Sequence, residues 1–201
     1  MVPEPTPQQV DRRALQSVAV QFFANGLVYA TFIPRLPEIR DRVGISIGAL
    51  GVVLMLGSVS GLVASLFAGR VIARLGSRRV MIYGAILSIG SLPIIGFANS
   101  AAVLVLGLVG VLFFDVFIDV AMNVQASVLS SRRHTPVINR MHGLWSFGTV
   151  AGGLATVLLI RVGVSAAQQI MLVTVGLIAA LVFVAPGLLR KDEVPAVGVG
   201  A

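Results

Sequence analysis

Long apolar stretches alternate with short polar breaks along almost the whole chain. Six stretches, residues 14–34, 46–69, 79–98, 101–130, 143–162 and 166–189, are long enough to cross a bilayer, since a helical span needs about 20 mostly apolar residues. The breaks carry turn and charge signals. Pro34-Arg35-Leu36-Pro37 follows the first stretch, and Arg74-Leu75-Gly76-Ser77-Arg78-Arg79 separates the second from the third. Asn99-Ser100 divides the third from the fourth, and Pro136 sits in the next loop. The pattern predicts an all-α, polytopic six-helix membrane bundle over residues 14–189. A polar tail with Pro3, Pro5 and Pro7 is expected over 1–13, and a second tail, or the start of a linker, over 190–201. The first stretch carries Gln21 and Asn25 and no small-residue cleavage site, so a secretory leader is not expected.

Composition narrows the class. The 201 residues are 57% hydrophobic and only 11% charged, with a mean hydropathy of +0.97, against about 25% charged in a soluble domain. Cysteine is absent, which excludes disulfides, thiolate metal sites and a cysteine nucleophile. The net charge of +7 would suggest nucleic acid in a soluble protein. Here the basic residues cluster between apolar stretches and read as topology signals, so no nucleic-acid partner is expected. With the N-terminus in the cytoplasm, 11 of the 15 Lys and Arg residues fall inside and 4 outside: Arg35, Arg40, Arg42 and Arg161. That asymmetry predicts a multi-pass protein of the cytoplasmic membrane with both termini inside.

Two of the eight acids remain within the spans. Asp115 and Asp119 lie one helical turn apart in the fourth stretch, and Asn123 continues their face. A charged residue at the centre of a membrane helix costs about 2.5–3.5 kcal/mol on insertion scales, and residues kept at that cost line wet paths or binding sites. Two nearby carboxylates in a low dielectric resist joint ionisation, so the pair is a candidate for binding and releasing a proton. The alternative is a structural pair hydrogen-bonded to neighbouring helices. No basic residue stands at that depth, so compensation is expected from Asn25, Asn123, Gln125, water or a solute.

Other polar residues carry two readings each. Asn25 suits a cavity-lining hydrogen-bonder or an interhelical tie. His142 and Trp145 open the fifth stretch, where histidine could shuttle protons and tryptophan could stack on a sugar ring; an interfacial pair is the plainer alternative. Small residues recur at i, i+4 as Gly57, Gly61, Ser65 and Gly69, and again as Gly148 and Gly152, a spacing that lets helices approach closely. No nucleotide-binding loop, catalytic spacing or metal-ligand spacing is visible. Neither an enzyme nor a cofactor is expected.

The loop from Gly69 to Arg79 resembles the signature loop of the major facilitator superfamily. Gly69, Arg74, Gly76, Arg78 and Arg79 match, while Ala73 stands where an aspartate is usual. The stretches from Asn25 to Ile39, Asp119 to Gln125 and His142 to Gly148 are similar to the branch containing fucose–proton symporter-like transporters. That resemblance implies a role in proton coupling for Asp119, with Asp115 as its neighbour, and a gating role for the signature loop. It also implies that six spans, as two inverted three-helix repeats, make one half of a twelve-span fold. Helices two and five would then carry their glycine stripes to a second six-helix half. The expected function is secondary transport of a small polar solute, such as a sugar, with a proton, in contact with the lipid bilayer. The alternative is a non-transporting remnant or a membrane interaction module.

Overall fold

The computed structural model describes residues 6–194. All the long elements among them are helices, and six are long and apolar enough to cross a membrane. Helix α1 spans Pro7–Phe32 and runs through a 3₁₀ turn at Ile33–Arg35 into α2, Leu36–Val43. Then follow α3 at Ile47–Leu75, α4 at Ser77–Gly96, α5 at Ala101–Arg133, α6 at Ile138–Arg161 and α7 at Ala166–Val184.

Local chemistry explains these bounds. Thr6 accepts from the Gln9 amide at 3.3 Å, and the Gln9 side chain accepts from the Thr6 amide at 2.9 Å, a reciprocal cap that satisfies two orphan donors. Helix α1 therefore begins at Pro7, inside the segment 1–13 expected as a tail; residues 1–5 and 195–201 lie outside the described part. Pro34 and Pro37 were expected to end the first span in a loop. Instead each sits in the first turn of a helical element, where a missing N–H leaves no bond broken. Ser46, Ser100 and Ser165 cap α3, α5 and α7 by accepting backbone N–H bonds. Helix α6 starts five residues before the expected 143, so His142 and Trp145 lie within it rather than at its mouth.

The six spans form two triplets, α1–α3–α4 and α5–α6–α7. The first helix of each triplet packs along the second helix of the other, α1 on α6 and α5 on α3, and α5 packs as closely on α4, the helix before it. The third helices, α4 and α7, pack on each other. This exchange is what two inverted repeats produce.

Charges sort to the two ends. At one, Arg132 pairs with Asp11 at 2.9 Å, and Lys191 Nζ donates to the Arg74 carbonyl at 2.7 Å. At the other, Arg35 pairs with Glu38 at 2.7 Å, and Arg42 donates to the Ala98 carbonyl at 3.0 Å. The outer faces of α3 and α6 expose Leu62, Leu66, Leu154 and Leu158, as a lipid-facing surface requires.

Candidate functional site

The α1–α6 seam builds the site. A Cβ on Gly26 would collide with the Trp145 carbonyl, and one on Gly148 with the Phe23 carbonyl. Only glycine lets these backbones touch, as small residues do between membrane helices. Thr156 Oγ1 reinforces the seam by donating to the Ala30 carbonyl at 2.9 Å. The close approach brings Trp145 of α6 onto Asn25 of α1: indole Nε1 donates to Asn25 Oδ1 at 2.8 Å.

Asn25 passes the chain of bonds to α5. Its Nδ2 donates to Asp115 Oδ1 at 2.5 Å, and the Tyr29 hydroxyl donates to Asp115 Oδ2. Both carboxylate oxygens of Asp115 thus have donors, and the residue is only 8% exposed. Three helices meet in one polar node, near the middle of a 33-residue helix. Such a node needs no counter-cation to be hydrogen-bonded, which answers the absence of a basic partner at this depth.

Asp119 is placed differently. It lies one turn further along α5 and is exposed on the open face of the bundle. Asn123 Nδ2 donates to its backbone carbonyl at 2.8 Å and to Oδ1 at 3.2 Å. Among the described residues no donor reaches Oδ2 of Asp119. His142, exposed on α6, lies within electrostatic reach of it and meets the Phe22 ring edge-on at 5.4 Å.

The structure therefore gathers Asn25, Asp115 and Trp145 in one node between α1, α5 and α6, with Asp119, Asn123 and His142 on the more open face beside it. Gln125 is not among them. It is fully buried, donating to the Leu189 carbonyl at 3.2 Å and to Ser77 Oγ at 3.3 Å, and accepting from the Leu189 amide at 3.1 Å. Its amide staples α5 to the chain beyond α7, which corrects its expected place beside the two acids as a compensating, cavity-lining group.

The glycine stripes need a similar correction. A Cβ on Gly57 would stand 2.8 Å from Leu112, and one on Gly61 would lie 3.4 Å from the Leu112 carbonyl. Gly148 meets Phe23, and Gly152 would press on Ala30 at 2.7 Å. All four turn inward, to α5 or α1, rather than outward to another half. Ser65 is exposed and donates to its own helix at Leu62. Gly69 has open space around it.

The remaining signature-loop residues gather at the end bearing Asp11 and Lys191. Gly76 links α3 to α4 at φ 85°, a conformation that favours glycine. Arg78 and Arg79 open α4, and Arg74 closes α3.

Two residues escaped the sequence reading. Tyr29 follows Gln21 and Asn25 at i+4 spacing, so continuing that face would have found it. Arg35, counted only as an external charge, is 2% exposed. It donates to Gln169 at 2.8 Å, to Glu38 at 2.7 Å and to the Val164 carbonyl at 2.7 Å. No periodicity could foretell that burial, because Gln169 and Val164 belong to the other triplet.

Comparison with known proteins gives the architecture a family. The profile of the Major Facilitator Superfamily matches residues 18–200. An uncharacterized MFS-type transporter of Yersinia pestis is 29% identical over 180 residues, covering 89% of this chain and 47% of that protein. The uncharacterized transporter y4wD of Sinorhizobium fredii is 30% identical over 68% of this chain and 36% of its own length. The membrane protein MosC of Rhizobium meliloti is 30% identical over 69% of this chain and 34% of its own. The chain thus spans between a third and a half of these relatives. Six apolar helices in two exchanged triplets and a match that runs from the first span to the last agree: the chain belongs to the Major Facilitator Superfamily.

Proposed function

We propose that the chain forms one wall of a secondary active transporter that couples a proton to movement of a small polar solute, such as a sugar or a related metabolite. A second six-helix half supplies the other wall. One observation carries this reading: an exposed carboxylate, Asp119, stands beside the donor-saturated Asp115 node on the open face of α5. Asp115 fixes the geometry of α1, α5 and α6. Asp119, with an oxygen left open, takes and releases the proton as the cavity alternates between wet and dry. Asn123, His142 and the aromatic edge of Trp145 offer the polar and aromatic groups that a polyhydroxyl solute needs, while Asn25 holds Trp145 in place.

The length relation to the relatives supports the need for a second half. The wall rocks against that half to expose the cavity to each side in turn. The loop with Gly69, Arg74, Gly76, Arg78 and Arg79 closes the cytoplasmic side, and Ala73 leaves that gate without its usual acid. The 11:4 charge split supports a cytoplasmic-membrane location with both ends inside. The reading as an interaction module loses its main support, since the glycine stripes are occupied within the bundle.

Membrane vesicles from the native host test the proposal against a panel of sugars and small metabolites. A pH gradient should drive flux of at least one solute, and deleting the chain or introducing Asp119→Asn should abolish that gradient-driven flux. Flux that survives Asp119→Asn unchanged would sink the assignment.

A further inference from the structure

The end of the bundle opposite Arg35 holds a cavity of about 330 Å³ between the proposed gating loop and the chain beyond α7, and the transport reading assigns it no ligand. Arg78 and Arg79 line it from the start of α4, and Arg190 and Lys191 from the chain beyond α7. Asp192 is the one acid on its wall. The stretch from Arg70 to Arg79 contains four arginines and no acid. Among the described residues, no ion pair engages Arg78, Arg79, Arg190 or Lys191.

The backbone adds to the positive field. Gly76, the N-cap of α4, supplies no side-chain acceptor, so the first amides of this 20-residue helix have none from their cap. Such a terminus favours an anion. The cavity is also held in shape. A Cβ on Gly76 would come within 2.9 Å of Lys191 Cβ, and Lys191 Nζ is tied to the Arg74 carbonyl at 2.7 Å. The loop and the post-α7 segment are therefore clasped together, with the remaining cationic groups turned to the space between them.

The far wall is apolar. Leu75, 44% exposed, and Ile82 border the same cavity, and Tyr83, 60% exposed, stands beside Ile82 on the outer surface of α4. Cations at a membrane-facing helix start beside an apolar strip fit an amphiphile rather than a free ion.

We propose that this cavity binds the phosphate headgroup of an anionic phospholipid, its phosphate between Arg78, Arg79 and Arg190 and its acyl chain along Leu75 and Ile82. The lipid then bridges the second-to-third loop and the segment after the sixth span. It neutralises a cluster whose cavity wall carries one acid, Asp192.

Native mass spectrometry of the chain, released from membranes into mild detergent and titrated with phosphatidylglycerol, tests this. One phosphatidylglycerol should stay bound at collision energies that strip phosphatidylcholine. Arg79→Gln with Arg190→Gln should weaken that retention about tenfold or more, each basic residue near the surface contributing appreciably to anionic-lipid attraction. Arg79→Lys with Arg190→Lys should restore most of it, which separates lost charge from lost folding. Arg132→Gln with Arg133→Gln, at the same end but outside the cavity, should change it little. Equal retention in the two double Gln variants would overturn the proposal. So would displacement of the lipid by millimolar inorganic phosphate, because the site would then be a phosphate site indifferent to the acyl chain.

Discussion

Asn25 and Asp115 lie 90 residues apart in the chain and meet at 2.5 Å in the bundle. Asn25 faces both ways, accepting from Trp145 and donating to Asp115. It therefore sets the rotation of α1 relative to both α5 and α6. The polar node acts as a register mark in a seam otherwise made by small residues, where apolar packing alone specifies rotation weakly.

This arrangement gives an optical readout. Trp145 is the only tryptophan, so intrinsic fluorescence reports on one site. Asn25→Leu removes the indole's acceptor and should shift the emission maximum. Asp119→Asn, outside the node, should leave it in place. Equal spectra for wild type and Asn25→Leu would show that the bond is not made in the membrane.

The same bond should carry a measurable energy. Trp145→Phe keeps an aromatic ring and loses one donor to Asn25, which should cost about 0.6–2 kcal/mol, the range for interhelical hydrogen bonds. Thermal unfolding in detergent followed by far-ultraviolet circular dichroism checks this. Asp115→Leu should cost more, because it strands Asn25 and Tyr29 together.

Glycines five residues apart on the same helix should differ sharply. Gly148→Val drives a side chain into the Phe23 carbonyl and should prevent a monodisperse folded species on size exclusion. Gly153→Val, with open space around it, should be tolerated in the same assay.

At the opposite end of the bundle, Arg35→Gln leaves Gln169, Glu38 and the Val164 carbonyl short of donors. The expected loss is about 1–3 kcal/mol, the penalty for a buried polar group left unmade. Glu38→Gln should cost less, since the Glu38 side chain is 42% exposed. Thermal melts of the two variants compare them, and equal losses would place the stabilisation in the ion pair alone.

Coupling and structure should separate in transport. Asp119→Asn should abolish pH-gradient-driven flux while its melting temperature stays close to wild type, since the exposed carboxylate ties no second helix. Asp115→Asn should lower both. Vesicle flux and thermal melts on the same preparations check the pair of outcomes.

The spans, their approximate ends and their charge asymmetry were legible in the chain because each depends on local properties. Hydropathy summed over about 20 residues sets insertion. A serine before an apolar run sets a cap, as at Ser46, Ser100 and Ser165. The i, i+4 spacing of Asp115, Asp119 and Asn123 set a shared face, though not what that face meets. Arg35 shows the limit, since the sequence marks a basic residue in a break and only the fold surrounds it with Gln169 and Val164.

The glycine stripes carry the same lesson. By itself the sequence determined that α3 and α6 each present a surface of small residues, that two acids sit midway along the fourth apolar stretch, and that six helices form. Only the tertiary structure decided that the stripes turn to α5 and α1, that Asp115 is held by two donors on α1, one of them braced by Trp145 of α6, while Asp119 stays open, and that Gln125 staples a helix to the chain beyond α7. The reason is physical: helical periodicity fixes which residues share a face, but a helix in lipid can rotate about its axis at little hydrophobic cost, so its partner is chosen by close packing and hydrogen bonds to helices distant in sequence.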